Sequence, residues 1–127
     1  MDATNRLALE EIGQIAIPVG DIDRATAFYR DVLGMRFLFS APPGLSFFDC
    51  AGVRLMLDLP AKENAGNGSV LYFKVADLNG AFESLKTQGV PIEAVPHRIA
   101  NMPDYELWMC FFRDPDNNLL ALMSEKR

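Results

Sequence analysis

Histidine is almost missing: of 127 residues, only His97 carries an imidazole. Cysteine is nearly as scarce, and Cys50 and Cys110 stand too far apart to form a CxxC pair. One such chain cannot assemble a four-cysteine site, a paired Cys-and-His finger or a triple-histidine centre. Positive charge is short as well, with 12 Lys plus Arg against 17 Asp plus Glu and a net charge of −5. A phosphate-backbone partner needs a basic face, so no nucleic acid is expected. No apolar run reaches bilayer-crossing length, and no membrane partner is expected. Met1 is followed by Asp2, Arg6 and Glu10 rather than by the basic stretch and apolar run of a secretory leader. The expectation is a soluble, cytoplasmic protein whose two thiols stay reduced.

What the chain has in quantity is apolar surface. Hydrophobic residues make up 50% and include nine Phe, while charged residues reach only 23%. A chain of 14.1 kDa with that composition is one domain with a real core, not a disordered segment.

Gly13 to Val19 (GQIAIPV) reads as a strand bounded by Gly20. Asp21 then offers an N-cap oxygen to a helix running to about Leu33, with Ile22, Ala25, Phe28, Tyr29 and Leu33 on one apolar face. Gly34 ends it. Strands follow at Arg36 to Ser40, Leu45 to Cys50 and Val53 to Leu59, the last two joined by a tight Ala51-Gly52 turn. Lys62 to Gly68 (KENAGNG) is the only convincing linker.

After the linker the pattern restarts. Ser69 to Val75 reads as a strand, Asp77 caps a helix to about Gln88, and strands are expected at Ile92 to Pro96, Leu107 to Phe112 and Leu119 to Ser124. One constant shift lays Val19 on Val75, Asp21 on Asp77, Ile22 on Leu78 and Ala25 on Ala81. A larger shift lays Phe47 on Phe112, Asp49 on Asp114, Leu55 on Leu120 and Leu57 on Leu122. The chain therefore reads as an internal duplication, βαβββ–βαβββ, an α+β arrangement with helices on one side of curved sheets. Module one spans about 11–60, the linker 61–68 and module two about 69–125 of a single domain, 1–127. The difference between the shifts falls around His97 to Tyr105, which is expected to be a loop.

Two stretches make the chain recognisable. Asp21-Ile-Asp-Arg-Ala-Thr-Ala-Phe-Tyr-Arg-Asp-Val-Leu-Gly34 and Phe112-Arg-Asp-Pro-Asp-Asn-Asn-Leu-Leu120 resemble the signatures of the vicinal oxygen chelate superfamily. That superfamily takes in glyoxalase I, bleomycin-resistance proteins, methylmalonyl-CoA epimerase and extradiol dioxygenases. The resemblance runs from about Glu11 to Glu125 and implies two βαβββ modules whose sheets curl around a cup, helices outside, frequently in a homodimer. In this chain Asn117 stands where the family usually has Gly, and Asn tolerates the left-handed backbone of that turn.

Metal-dependent members of the family place one ligand on the first and last strand of each module. Carried over by register, those positions are Gln14, Met56, Val70 and Ala121. Gln14 can offer an amide oxygen, Met56 is a soft thioether, and Val70 and Ala121 have no donor. No metal and no other cofactor are expected. A slip of one residue brings in Ile15, Leu55, Leu57, Leu71 and Leu120, which are no better.

The expected cup lining is Gln14, Ala16, Arg54, Met56, Asp58, Val70, Tyr72, Lys74, Leu119, Ala121 and Met123, mostly apolar with a few polar groups, as in small-molecule pockets. Arg54 and Asp58 share one strand face and can pair with each other or orient a polar ligand. Tyr72 beside Lys74 can serve as a general acid or anion anchor. The segment from Pro96 to Trp108 gathers His97, Tyr105 and Trp108. His97, the chain's one imidazole, is the natural proton carrier, while Trp108 can stack on a ligand or pack in the core.

The reading that follows is a glyoxalase/bleomycin-resistance-like protein binding a small, partly apolar molecule in a metal-free cup, for sequestration or resistance. The alternative is a metal-independent isomerase or lyase with His97 and Tyr72 as acid and base. A metal-dependent glyoxalase, epimerase or dioxygenase comes last.

Overall fold

The computed structural model describes residues 7–8, 11–59 and 69–127, so the linker expected at 61–68 lies outside the described residues. Module one runs β1 (Gln14–Pro18), α1 (Ile22–Ala27), β2 (Arg36–Ala41), β3 (Leu45–Cys50) and β4 (Val53–Asp58). Module two runs β5 (Leu71–Lys74), α2 (Leu78–Thr87), β6 (Ile92–Asn101), β7 (Glu106–Arg113) and β8 (Leu119–Lys126). Each builds one mixed sheet, in the orders β1-β4-β3-β2 and β5-β8-β7-β6. The first and last strands of each module lie parallel, and the other pairs are antiparallel.

The duplication is visible rung by rung. Ile15 pairs with Leu55 and Ala16 with Met56 in module one, and Leu71 pairs with Leu120 and Tyr72 with Ala121 in module two. The larger shift fails for β3 and β7, however. Phe47 faces Met56 while Phe111, not Phe112, faces Ala121. The structural counterpart of Phe48 is Phe112, and both are fully buried. The β7–β8 turn, Asp114 to Asn118, is one residue longer than its partner in module one, and this absorbs the offset.

Both helices open on an aspartate in extended backbone. Asp21 accepts from Arg24 N and Asp77 from Gly80 N, each at 3.0 Å, which satisfies an otherwise orphaned amide. In α2, Leu78, Phe82 and Leu85 form the buried stripe. The helix expected to reach Leu33 keeps its length but changes its winding, since Phe28–Val32 is a π-helical turn. Consecutive Phe28 and Tyr29 both point inward in this turn, their rings edge-on at 5.5 Å.

Strand alternation sorts each sheet into two faces. Ile17, Phe48, Leu55 and Leu57, with Cys110, Phe112, Leu120 and Leu122, meet the helices in one continuous core. Both cysteines are free; Cys110 is buried, which pushes its thiol pKa up, and Cys50 is half-buried.

One polar knot ties the modules together. Asp114 Oδ1 accepts from the amides of Asp116 (2.9 Å) and Asn118 (2.8 Å), closing its own turn. Its Oδ2 accepts from Tyr29 Oη of module one at 2.8 Å and from Asn118 Nδ2 at 2.9 Å. The same Asn118 amide donates to Pro18 O at 2.9 Å, and Asp116 Oδ1 accepts from Gly20 N and from Arg24 Nη2. A Cβ on Gly20 would sit 3.1 Å from that carboxylate oxygen, which explains the glycine. Burial, with the Asp114 carboxylate beside it, pushes the Tyr29 phenol well above the ordinary tyrosine range.

The segment expected as a loop at His97 to Tyr105 is mostly strand. β6 continues through Pro96 to Asn101 and pairs with β7 as far as Glu106, so the insertion lengthens a hairpin.

Candidate functional site

The sheet faces turned away from the helices hold most of the candidate residues. In module one, Gln14, Ala16, Arg54, Met56 and Asp58 lie on that face together with Phe39, Phe47 and Asp49. A bulge in β2 makes this possible. Phe37 pairs with Phe48 and Phe39 with Phe47, so Phe37 turns to the core while Phe39 stacks on Phe47 at 4.6 Å.

Gln14, Arg54 and Met56 form a tight cluster. Arg54 Nε donates to Gln14 Oε1 at 2.7 Å, and the guanidinium stands 5.6 Å from the Phe47 ring centroid. Gln14 Nε2 in turn points at Met56 Sδ, 3.8 Å away. Asp58 shares the face but makes no ion pair with Arg54, which takes the glutamine instead.

In module two, Tyr72, Ala121 and Phe111 form one cross-strand row. The Tyr72 and Phe111 rings meet edge-on at 6.0 Å and cover Ala121, which is fully buried although it lies on the open face. His97 joins the row from β6, its ring 6.5 Å from that of Phe111, because a bulge between Ala94 and His97 turns it to this side. Its Nδ1 lies 2.7 Å from Val95 O, so the imidazole donates there and leaves Nε2 as the free nitrogen. Lys74 pairs with Glu125 at 3.3 Å.

Two candidates lie elsewhere. Trp108 projects to the helix side with Cys110 and Phe112, packs against the core, donates from Nε1 to Glu106 Oε1 at 2.9 Å and carries Lys126 Nζ 4.1 Å from its ring centroid. Tyr105 sits at the tip of the β6–β7 hairpin under the Arg127 guanidinium. Phe39, Phe47 and Phe111 join these faces from β2, β3 and β7, strands that the superfamily's ligand positions, on the first and last strand of each module, do not reach. Period-two alternation along β3 was the available signal for Phe47.

The donor set does not fit a divalent metal. Among the four ligand positions only Gln14 has an oxygen, and that oxygen already accepts from a guanidinium, whose positive charge would repel a cation. Among the described residues, no three His, Cys, Asp or Glu side chains converge.

The residue pattern 11–122 matches the model of the Glyoxalase/Bleomycin resistance protein/Dioxygenase superfamily. The chain belongs to this superfamily. It is 26% identical over 123 residues to the uncharacterized protein YraH of Bacillus subtilis, covering 86% of this chain and 94% of that protein. Among solved structures it is similar to lactoylglutathione lyase from Agrobacterium tumefaciens, with a TM-score of 0.75, 26% identity and coverage of 92% and 95% of the two chains. A superfamily member from Alicyclobacillus acidocaldarius gives a TM-score of 0.71 at 24% identity, with 91% of each chain covered, a likeness of fold alone. The two-module α+β architecture is thus that of the superfamily. No helix among the described residues is long and apolar enough to cross a membrane.

Proposed function

We propose that this chain is a small-molecule-binding member of the superfamily that works without a metal ion, taking a partly apolar ligand for sequestration or resistance in the cytoplasm. The observation that carries the reading is the Gln14–Arg54 hydrogen bond. It occupies the one oxygen donor at the superfamily's ligand positions, and Met56, Val70 and Ala121 supply no replacement. The open faces around it are apolar with a few directed polar groups, the make-up of a ligand site. Calorimetric titration of chelator-treated protein with Ni, Zn, Mn and Fe(II), beside element analysis of the purified protein, tests it. No stoichiometric uptake is expected; tight one-to-one binding would restore a metal-dependent glyoxalase-type enzyme.

A second reading, a metal-independent isomerase or lyase, draws support from His97 and Tyr72 meeting on the same Phe111 ring. It fails if His97→Ala leaves turnover of a confirmed substrate unchanged. A homodimer is also proposed, because Phe39 and Tyr72 are half exposed on the open faces of one chain. Sedimentation at micromolar concentration would give the dimer mass.

A further inference from the structure

We infer that Arg54 anchors an oxyanion, a carboxylate or phosphonate carried on a flat apolar body; this rests on the small-molecule reading above and narrows it to a ligand class. The guanidinium is held from two sides. Its Nε is committed to Gln14 Oε1 at 2.7 Å, and its plane is fixed 5.6 Å from the Phe47 ring centroid. The Gln14 amide is itself oriented, with Nε2 toward Met56 Sδ. An exposed arginine normally loses rotamer freedom when it binds; here that freedom is already restricted.

The two terminal amino groups of Arg54 have no acceptor among the described residues. They form the flat fork that matches a carboxylate or phosphonate with two parallel hydrogen bonds. Acidic side chains are close enough in the sheet to have competed. Asp49 stands directly across from Arg54 on β3, yet its carboxylate accepts from Gly52 N at 3.3 Å and makes no ion pair with the guanidinium. Asp58, on the same strand face, makes none either. In module two the open-face cations are matched, Lys74 by Glu125 at 3.3 Å and Arg113 by Glu93 at 3.1 Å. In module one Arg36 on β2, across from Asp49, also makes no ion pair among the described residues but lacks the glutamine and ring contacts that hold Arg54. Beside the unmatched fork lie the apolar side chains of Met56 and Phe47, with the Phe39 ring stacked on Phe47 at 4.6 Å.

Net charge works against this ligand at long range, because the chain carries −5. Recognition must therefore be local and geometric, which calls for a fork and not for a point charge. Arg54→Lys should restore little of what Arg54→Met removes.

The test follows the side-chain resonances of Arg54 Nε–H and Gln14 Nε2–H2 in labelled protein during titration with benzoate, phenylphosphonate and neutral benzamide. The two anions are expected to shift both signals and benzamide to shift neither. Arg54→Met should weaken anion binding at least tenfold with the rest of the spectrum unchanged, and Arg54→Lys should stay within a few fold of Met. Response to only one anion assigns the oxyanion. Equal binding of benzamide and benzoate, or undiminished anion binding by Arg54→Met, would overturn the anion site and leave the small-molecule reading standing. Silence toward both anions at millimolar concentration would also overturn it; an apolar compound library followed on Met56 and Tyr72 then judges the broader reading separately.

Discussion

Burial disfavours the Tyr29 phenolate, and the Asp114 carboxylate beside it adds repulsion and a hydrogen bond to the neutral form, so the phenol pKa lies above the ordinary tyrosine range. Its raised folded-state pKa means that the unfolded chain releases this proton first. The stabilisation is whole below about pH 10, the unfolded tyrosine value, and falls as pH rises beyond it. Urea midpoints measured at pH 8 and above pH 10 should drop for the native chain, and drop less for Tyr29→Phe. At pH 8 the same variant should lose about 1–3 kcal/mol, since a buried carboxylate forfeits a donor. At this scale the site was partly legible. Alternation along β1 and β4 put Gln14, Arg54 and Met56 on one face, but no residue-level signal chose glutamine over Asp58 as the arginine's partner. Trp108 was not legible, because Leu107 to Phe112 is apolar at every position and so marks neither face.

Turns and bulges decide the elements. Ala51 and Gly52 join β3 to β4 with positive φ at both positions, 51° and 93°, the geometry of a type I′ hairpin turn. Alanine is strained there, so Ala51→Gly or Ala51→Asn should stabilise by about 0.5–1 kcal/mol in thermal or urea unfolding. Asn117, at φ 67°, holds the left-handed position in the β7–β8 turn. Asn117→Gly should be neutral or mildly stabilising, whereas Asn117→Val should cost about 1–2 kcal/mol and disturb the amides that Asp114 receives. The sequence marked these turns through its glycines and asparagines. It misled at β6, where Pro96 reads as a strand end. β6 is the edge of its sheet, and an edge strand tolerates a residue that cannot donate. The π turn after α1 was hidden for a different reason: the apolar spacing of Phe28 and Tyr29 is compatible with either winding.

At the scale of the molecule, two similar sheets share one hydrophobic core. The duplication was readable because buried positions on β1, β4, β5 and β8 must repeat in register to cover equivalent helices. The join between modules was not. Asp114 and Asp116 stand in a tight turn, and the partners that complete them, Tyr29, Gly20 and Arg24, lie far away in the sequence. Likewise the two bulges that bring Phe39 and His97 onto the open faces leave no mark in alternation, which they interrupt.

The knot makes the two halves unequal heirs of one ancestor. Module one keeps the phenol, the amide and the guanidinium, while module two keeps the carboxylates that receive them, so neither half is a self-sufficient repeat. A gene cut between the codons for residues 64 and 65 should yield fragments that stay unfolded by circular dichroism when made singly and regain strand signal when mixed. Asp114→Asn in the second fragment should weaken that reunion by at least tenfold. Two well-folded fragments would show that the knot is dispensable. Complementary halves that fold only on meeting are what a split reporter requires, and the Tyr29–Asp114 contact is the point at which their affinity could be set.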